Sequence, residues 1–155
     1  LLTNTKIMSE RSLMNKLLSE GISRINWIRS RMQLLRNLQK QFKIEQPFKN
    51  ITIGVSLHLE PKTAVLLETL KIGGADIVGT GNLGSTQDDI VEVLKSWGMT
   101  IYGERSTKID EHLENVSKVV SANPDLLLDN GADLTEIALK TNTSSQILGG
   151  TEETT

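Results

Sequence analysis

Strand-like and helix-like stretches alternate four times along this chain with short connections, and that rhythm predicts an α/β fold. Two further observations agree. Polar and ionisable residues gather where the predicted strands hand over to helices, and 155 residues suffice for one domain with a real hydrophobic core. The expected architecture is a doubly wound, mostly parallel sheet flanked by helices.

Each element has a local reason. From Met14, the residues Leu17, Leu18, Ile22, Ile25, Ile28, Met32, Leu35, Leu38 and Phe42 recur at helical spacing, so residues 1–45 read as a helical lead-in. Gly21 is the expected break between two helices in it. An alternating βα unit fills 50–155. Residues 50–57 alternate partly and form the first strand, and helix 63–70 stops at Gly73-Gly74. Strand two spans 75–78. Ser85, with Asp88 three residues on, forms a capping box for a helix burying Ile90, Val91, Leu94 and Trp97. Strand three covers 100–103. Thr107 and Asp110 open a helix facing inward through Ile109, Leu113, Val116 and Val120. Strand four is 125–128, after Pro124; Asp133 and Glu136 start a last short helix; 146–148 is a weak fifth strand, and 149–155 reads as loop. The sum is a three-layer sandwich of the Rossmann-like or flavodoxin-like kind.

Composition narrows the function classes. The net charge of −2, with both signs interspersed, leaves no electrostatic footprint for nucleic acid or a membrane surface. Absence of cysteine removes disulfides, thiolate chemistry and cysteine metal sites, and suits the cytoplasm. Two histidines are too few for a histidine-rich metal centre, so no metal is expected. No apolar run approaches spanning length, and residues 1–8 lack a signal-peptide pattern.

In open α/β sheets, ligands sit outside the carboxyl ends of the strands. His58 follows the first predicted strand, Asn82 and Ser85 the second, Asp129 and Asn130 end the fourth, and Glu152 and Glu153 follow the fifth. If the strands run parallel, these groups share one rim. Singly, each has a plainer reading. His58 can bond nearby backbone, Asp129-Asn130-Gly131 can be an ordinary turn, and Asp133 reads as a helix cap. His112, beside Asp110 and Glu111, reads as solvated surface, and Glu152-Glu153 as solvated charge. Gly79-Thr80-Gly81-Asn82-Leu83-Gly84 fits G-x-G-x-x-G, with Glu104 at ribose-binding distance. With Ser85 as the cap, all three glycines fall in the loop, whereas the dinucleotide fingerprint puts its third glycine inside the helix.

Larger blocks carry a family resemblance. They are Leu57-His58 with Thr63-Ala64-Val65-Leu66-Leu67-Glu68-Thr69-Leu70, then Asn82-Leu83-Gly84-Ser85-Thr86-Gln87-Asp88-Asp89. Next come Leu127-Leu128-Asp129-Asn130-Gly131-Ala132-Asp133-Leu134-Thr135 and Gly150-Thr151-Glu152-Glu153-Thr154-Thr155. With Gly74-Ala75-Asp76, and with Ile25-Asn26-Trp27 and Met32 ahead of them, these blocks resemble the S-adenosylhomocysteine hydrolases from about Ser19 onward.

The resemblance implies that residues 1–155 are the amino-terminal part of a substrate-binding domain. An NAD-binding domain would lie elsewhere, so the chain alone would not turn over, and the full-length enzyme would be a homotetramer. It further implies NAD as cofactor: the ribose 3′-hydroxyl is oxidised, a base removes the 4′ proton, homocysteine leaves from C5′, water adds, and the ketone is reduced. By the same correspondence His58 is an acid/base near the 5′ leaving group, Glu153 polarises the ribose hydroxyls, Thr154 touches the ribose and Thr155 faces NAD. Asn82 lies near the homocysteine tail, and Leu57, Glu60, Lys62, Thr63 and Asp129 belong to the substrate site.

Two departures matter. The family has a second aspartate where this chain has Asn130, which can orient a group but cannot take up a proton. Either Asp129 substitutes, or His58 carries more of the proton transfer, or activity is low. Many members also have a glutamate where this chain has Lys62. A donor-only lysine suits the carbonyl of hypoxanthine, hence S-inosylhomocysteine as substrate, unless Glu60 reaches an adenine amino group instead. Two other readings stand beside the hydrolase: a silent nucleoside-binding or regulatory relative, and an autonomous dinucleotide module built on residues 79–84.

Overall fold

The computed structural model describes residues 4–153. Helices α1 (Asn4–Arg29) and α2 (Gln33–Glu45) precede β1 (Thr52–Leu57), α3 (Pro61–Ile72), β2 (Asp76–Gly81), α4 (Asp88–Ser96) and β3 (Thr100–Tyr102). Then come α5 (Ile109–Ser121), β4 (Leu126–Asp129), α6 (Asp133–Lys140), a 3-10 turn at Ser144–Gln146, and β5 (Gly149–Glu152).

All strand pairs are parallel, in the order β3-β2-β1-β4-β5. Central β1 is buried from Ile53 to Leu57, as a parallel strand covered on both faces must be. Helices α1, α3 and α4 pack together on one face around Ile25, Val65, Leu67, Ile90 and Leu94. On the other, α5 and α6 meet around Val116, Val119, Val120, Leu134 and Ala138. The connection from β3 returns the chain past β2 and β1 to β4, so the loops after β1 and β4 depart to opposite faces. A crevice opens between them.

The doubly wound fold is as expected, with local differences. Gly21 does not break α1, which runs on to Arg29 and turns at Ser30–Arg31. It is instead where α1 meets α4: a Cβ there would stand 2.6 Å from the Asp89 carbonyl oxygen and 2.8 Å from Val93 Cγ2. We expect Gly21→Leu to destabilise the protein by about 2 kcal/mol by wedging these helices apart. Urea unfolding checks this, and an unchanged midpoint would mean that the contact contributes nothing.

Strand β2 is longer than expected and contains both Gly79 and Gly81, so only Gly84 of the three glycines lies in the loop. Gly81 is a packing position, since a Cβ there would fall 2.0 Å from Thr86 Oγ1. Neither Ser85 nor Thr107 caps a helix. The N-cap positions of α4 and α5 are Gln87 and Lys108, without side-chain cap bonds. Asp88 and Asp89, and Asp110 and Glu111, supply negative charge to those first turns instead. Helix α5 is rotated from the expected face, leaving Ile109 and Leu113 exposed and turning His112 and Val119 inward. The fifth strand is Gly149–Glu152 rather than 146–148, pairing with β4 from Leu126↔Gly149 to Asp129↔Glu152. Its glycines have little strand propensity, yet Gly150 fits where a Cβ would be 3.1 Å from Leu127 Cβ. No described helix is long and apolar enough to cross a membrane.

Candidate functional site

The rim is built from strand ends. After Leu57, the backbone turns at His58, whose carbonyl accepts bonds from the Glu60 amide (2.9 Å) and Thr63 Oγ1 (2.6 Å). Pro61, at the first helical position, suits that sharp start to α3. His58 Nδ1 lies 2.6 Å from Ser85 Oγ, and the Ser85 hydroxyl is 3.3 Å from the Asn82 carbonyl. The Asn82 amide donates to Leu57 O at 3.0 Å, locking the end of β2 to the end of β1.

From Asn82 the contacts continue across the sheet. Asn82 Nδ2 donates to Asn130 Oδ1 at 2.6 Å, and Asn130 Nδ2 donates to the Glu153 carbonyl at 3.0 Å. Ser56 Oγ donates to Asn82 Oδ1 at 3.4 Å. His58, Ser85, Asn82, Asn130 and Glu153 thus form one hydrogen-bonded chain from the end of β1 to the end of β5. His58 Nε2 has no hydrogen-bond partner among the described residues.

Beside this chain lies a cleft of about 500 Å³. Its apolar wall is Met32, Leu35, Leu57, Leu66 and Leu128, and its polar lining includes Glu60, Lys62, Thr63, Asp129, Glu152 and Glu153. Lys62 Nζ is 3.8 Å from Glu60 Oε1, and the lysine head is mostly exposed, so the pair is a loose one at the cleft mouth. His58, Asn82 and Asn130 stand on the adjoining rim. A more open hollow of about 920 Å³ lies beyond Ser85, between α1 and α4. Within it Arg24 bonds Asp89 at 2.7 Å and also Gln87.

Asp129 is buried and its carboxylate is occupied. It accepts from the amides of Asn130 (3.0 Å), Leu134 (3.3 Å) and Thr135 (2.9 Å), and from Thr135 Oγ1 (2.8 Å). It ties down the start of α6, so the alternative in which Asp129 takes over proton transfer from Asn130 does not fit this geometry. Gly131 and Ala132 turn there with φ of 80° and 59°, and the Gly131 amide donates to Glu152 Oε1 at 2.6 Å.

Asp133 is not the cap of α6, whose N-cap position is Ala132. Its carboxylate instead meets His112 Nε2 at 2.7 Å, and His112 is 6% exposed rather than solvated. Thr154 and Thr155 fall outside the described residues. Ser85 as the partner of His58, Glu152 as the partner of Gly131, and the Met32–Leu35 wall were not anticipated. Both belong to the apolar stripe of the lead-in, and Met32 also to the residues that carry the family resemblance.

No group of three or more metal-ligating side chains occurs among the described residues. Nor does the Gly79–Gly84 turn fit a dinucleotide. Gly81 is covered by Thr86, and α4 opens on Asp88 and Asp89, which would repel a pyrophosphate. NAD has no fitting site at that turn.

An all-parallel, Rossmann-like sheet whose switch-point crevice joins an apolar slot to an imidazole, amides and carboxylates defines a small-molecule-binding α/β domain. The S-adenosyl-L-homocysteine hydrolase family matches residues 14–154, and the chain belongs to that family. It is 45% identical over 139 residues to S-inosyl-L-homocysteine hydrolase of Methanocaldococcus jannaschii, covering 88% of this chain and 34% of that protein. The corresponding protein of Methanococcus maripaludis is 41% identical over 157 residues, covering 99% of this chain and 36% of its own length. Adenosylhomocysteinase of Archaeoglobus fulgidus is 37% identical over 139 residues, covering 88% and 34%. The chain therefore spans about a third of the length of these relatives.

Proposed function

We propose that this chain is the substrate-binding portion of a thioether hydrolase that, at full length, converts S-inosylhomocysteine or S-adenosylhomocysteine to the nucleoside and homocysteine. The observation that carries this reading is the hydrogen-bonded chain His58–Ser85–Asn82–Asn130–Glu153 beside an apolar slot. It links the His58 ring, the Ser85 hydroxyl and the Asn82 and Asn130 amides to the Glu153 main-chain carbonyl across the ends of four strands.

In this reading the purine enters the slot between Met32 or Leu35 and Leu57, Leu66 and Leu128, and the ribose faces Glu153. The Ser85 hydroxyl gives its proton to the Asn82 carbonyl and accepts from His58 Nδ1, leaving the Nε2 lone pair for the substrate. Once Nε2 has taken a proton from solvent, it gives that proton to the departing sulfur, and the lone pair so freed takes one from the water that replaces the sulfur at C5′. Asn130, held by Asn82 and Glu153, orients without carrying a proton. NAD, held by parts of the enzyme outside this chain, supplies reversible oxidation of the ribose 3′ carbon when bound.

Lys62 sets the base preference. Its ammonium donates only, which matches the O6 acceptor of hypoxanthine and not the adenine amino group. We expect kcat/KM of the full-length enzyme for S-inosylhomocysteine to exceed that for the adenosyl compound by about ten-fold, and Lys62→Glu to reverse the preference. A strong adenosyl preference untouched by Lys62→Glu would assign the base to Glu60 instead. A second reading, a silent nucleoside-binding relative, draws on the occupied Asp129 carboxylate and the amide at Asn130. Nucleoside binding without turnover in the NAD-loaded full-length protein would favour it.

A further inference from the structure

The sequence contains a single Asn-Gly pair, Asn130-Gly131, and it sits in the turn that carries the rim amide. Three contacts converge on this pair. The Gly131 amide, the nitrogen that would attack the Asn130 side chain, donates to Glu152 Oε1 at 2.6 Å. The Asn130 side-chain carbonyl, the group attacked, accepts from Asn82 Nδ2 at 2.6 Å. The Asn130 Nδ2 leaving group is bonded to the Glu153 carbonyl at 3.0 Å. A carboxylate on the nucleophile and a donor on the oxygen that becomes negative are the two aids an acyl transfer needs. Gly131 has φ of 80° and no side chain to crowd the approach, and Gly131 is exposed to water.

We propose that Asn130-Gly131 is a self-modifying site, at which Asn130 deamidates through a succinimide with the Glu152 carboxylate as base. Gly131 N bonds to Asn130 Cγ as Glu152 takes the amide proton. The Cγ–Nδ2 bond breaks, and that proton leaves with the side-chain nitrogen as ammonia. Water then opens the ring at Cγ to give aspartate, or at the main-chain carbonyl to give isoaspartate. The net change is one water consumed and one ammonia released, with no oxidant or cofactor. Conversion removes the Nδ2 donor from the Glu153 carbonyl and sets a carboxylate, able to take up a proton, at the rim beside Glu152 and Glu153.

Peptide mass mapping of the folded full-length protein, aged at neutral pH and 37 °C, tests this. The expected result is a one-dalton gain confined to the peptide holding Asn130, with both aspartate and isoaspartate present. Glu152→Gln, with Glu152→Ala as a second variant, should slow the gain about ten-fold. Two results would overturn it. Either Asn130 stays unchanged in the folded protein while the urea-unfolded chain converts, or the Glu152 variants convert at the wild-type rate. Because the readout is mass and not turnover, this can fail while the hydrolase reading stands, and the reverse.

Discussion

On the proposed hydrolase reading, we expect His58→Gln to lower kcat of the full-length protein by about 10²–10⁴-fold, with little change in KM for the nucleoside. The expectation follows from position. His58 follows the last residue of β1, its backbone is pinned by Thr63 and Glu60, and Nδ1 is engaged by Ser85 at 2.6 Å. The ring is therefore held through Nδ1, and Nε2 has no hydrogen-bond partner among the described residues. Glutamine keeps a polar group on Ser85 but cannot shuttle a proton near neutral pH. Because His58 is only partly buried, the substitution should hardly shift the unfolding midpoint, which separates a chemical effect from a structural one. Steady-state kinetics with either proposed thioether decides. A kcat within about three-fold of wild type would remove His58 from the proton transfer. Ser85→Ala gives an internal check: freeing the ring without removing it should lower kcat less than His58→Gln does.

Asp129→Ala destabilises the fold by about 3 kcal/mol, the largest single-site loss expected on this rim. Asp129 is 2% exposed, and its carboxylate collects three donors from the first turn of α6 and a fourth from the Asn130 amide. Alanine leaves the amide of buried Leu134 and that of Thr135 without an acceptor, and unmade bonds of that kind cost more than made ones contribute. Asp129→Asn does not rescue: one side of the amide would turn an N–H toward donors that need an oxygen. Urea unfolding of the three proteins checks this, and a loss below about 1 kcal/mol for Asp129→Ala would show that water satisfies those amides equally well. The same substitution should loosen the turn holding Asn130.

Much of this architecture was legible residue by residue. The helical stripe from Leu17 to Phe42, the strand ending at Leu57, the stop at Gly73-Gly74 and the short helix from Asp133 were all readable from neighbours in the sequence. So was the collection of His58, Asn82, Asn130 and Glu153 at strand ends, because parallel strands put their carboxyl ends on one edge. The misreadings share a cause. Ser85 followed by Asp88 is a sound capping pattern, yet the hydroxyl is engaged by His58, 27 residues away. His112 among acidic neighbours looks solvated, yet Asp133, 21 residues on, meets it inside the fold. Gly21 looks like a helix break until α4 is laid against it, and Gly79 and Gly81 look like loop until β1 and Thr86 close over them.

By itself, then, the order of residues determined the element sequence, the parallel winding and the set of polar groups available at the rim. These follow from hydrophobic period and turn chemistry, which act over a few neighbouring residues. Only the tertiary structure decided which of those groups are free. It committed the Asp129 carboxylate to α6, aimed His58 through Ser85, and brought Glu152 onto the Gly131 amide. Which donor meets which acceptor depends on distances across the sheet between residues far apart in the chain, and packing alone sets them.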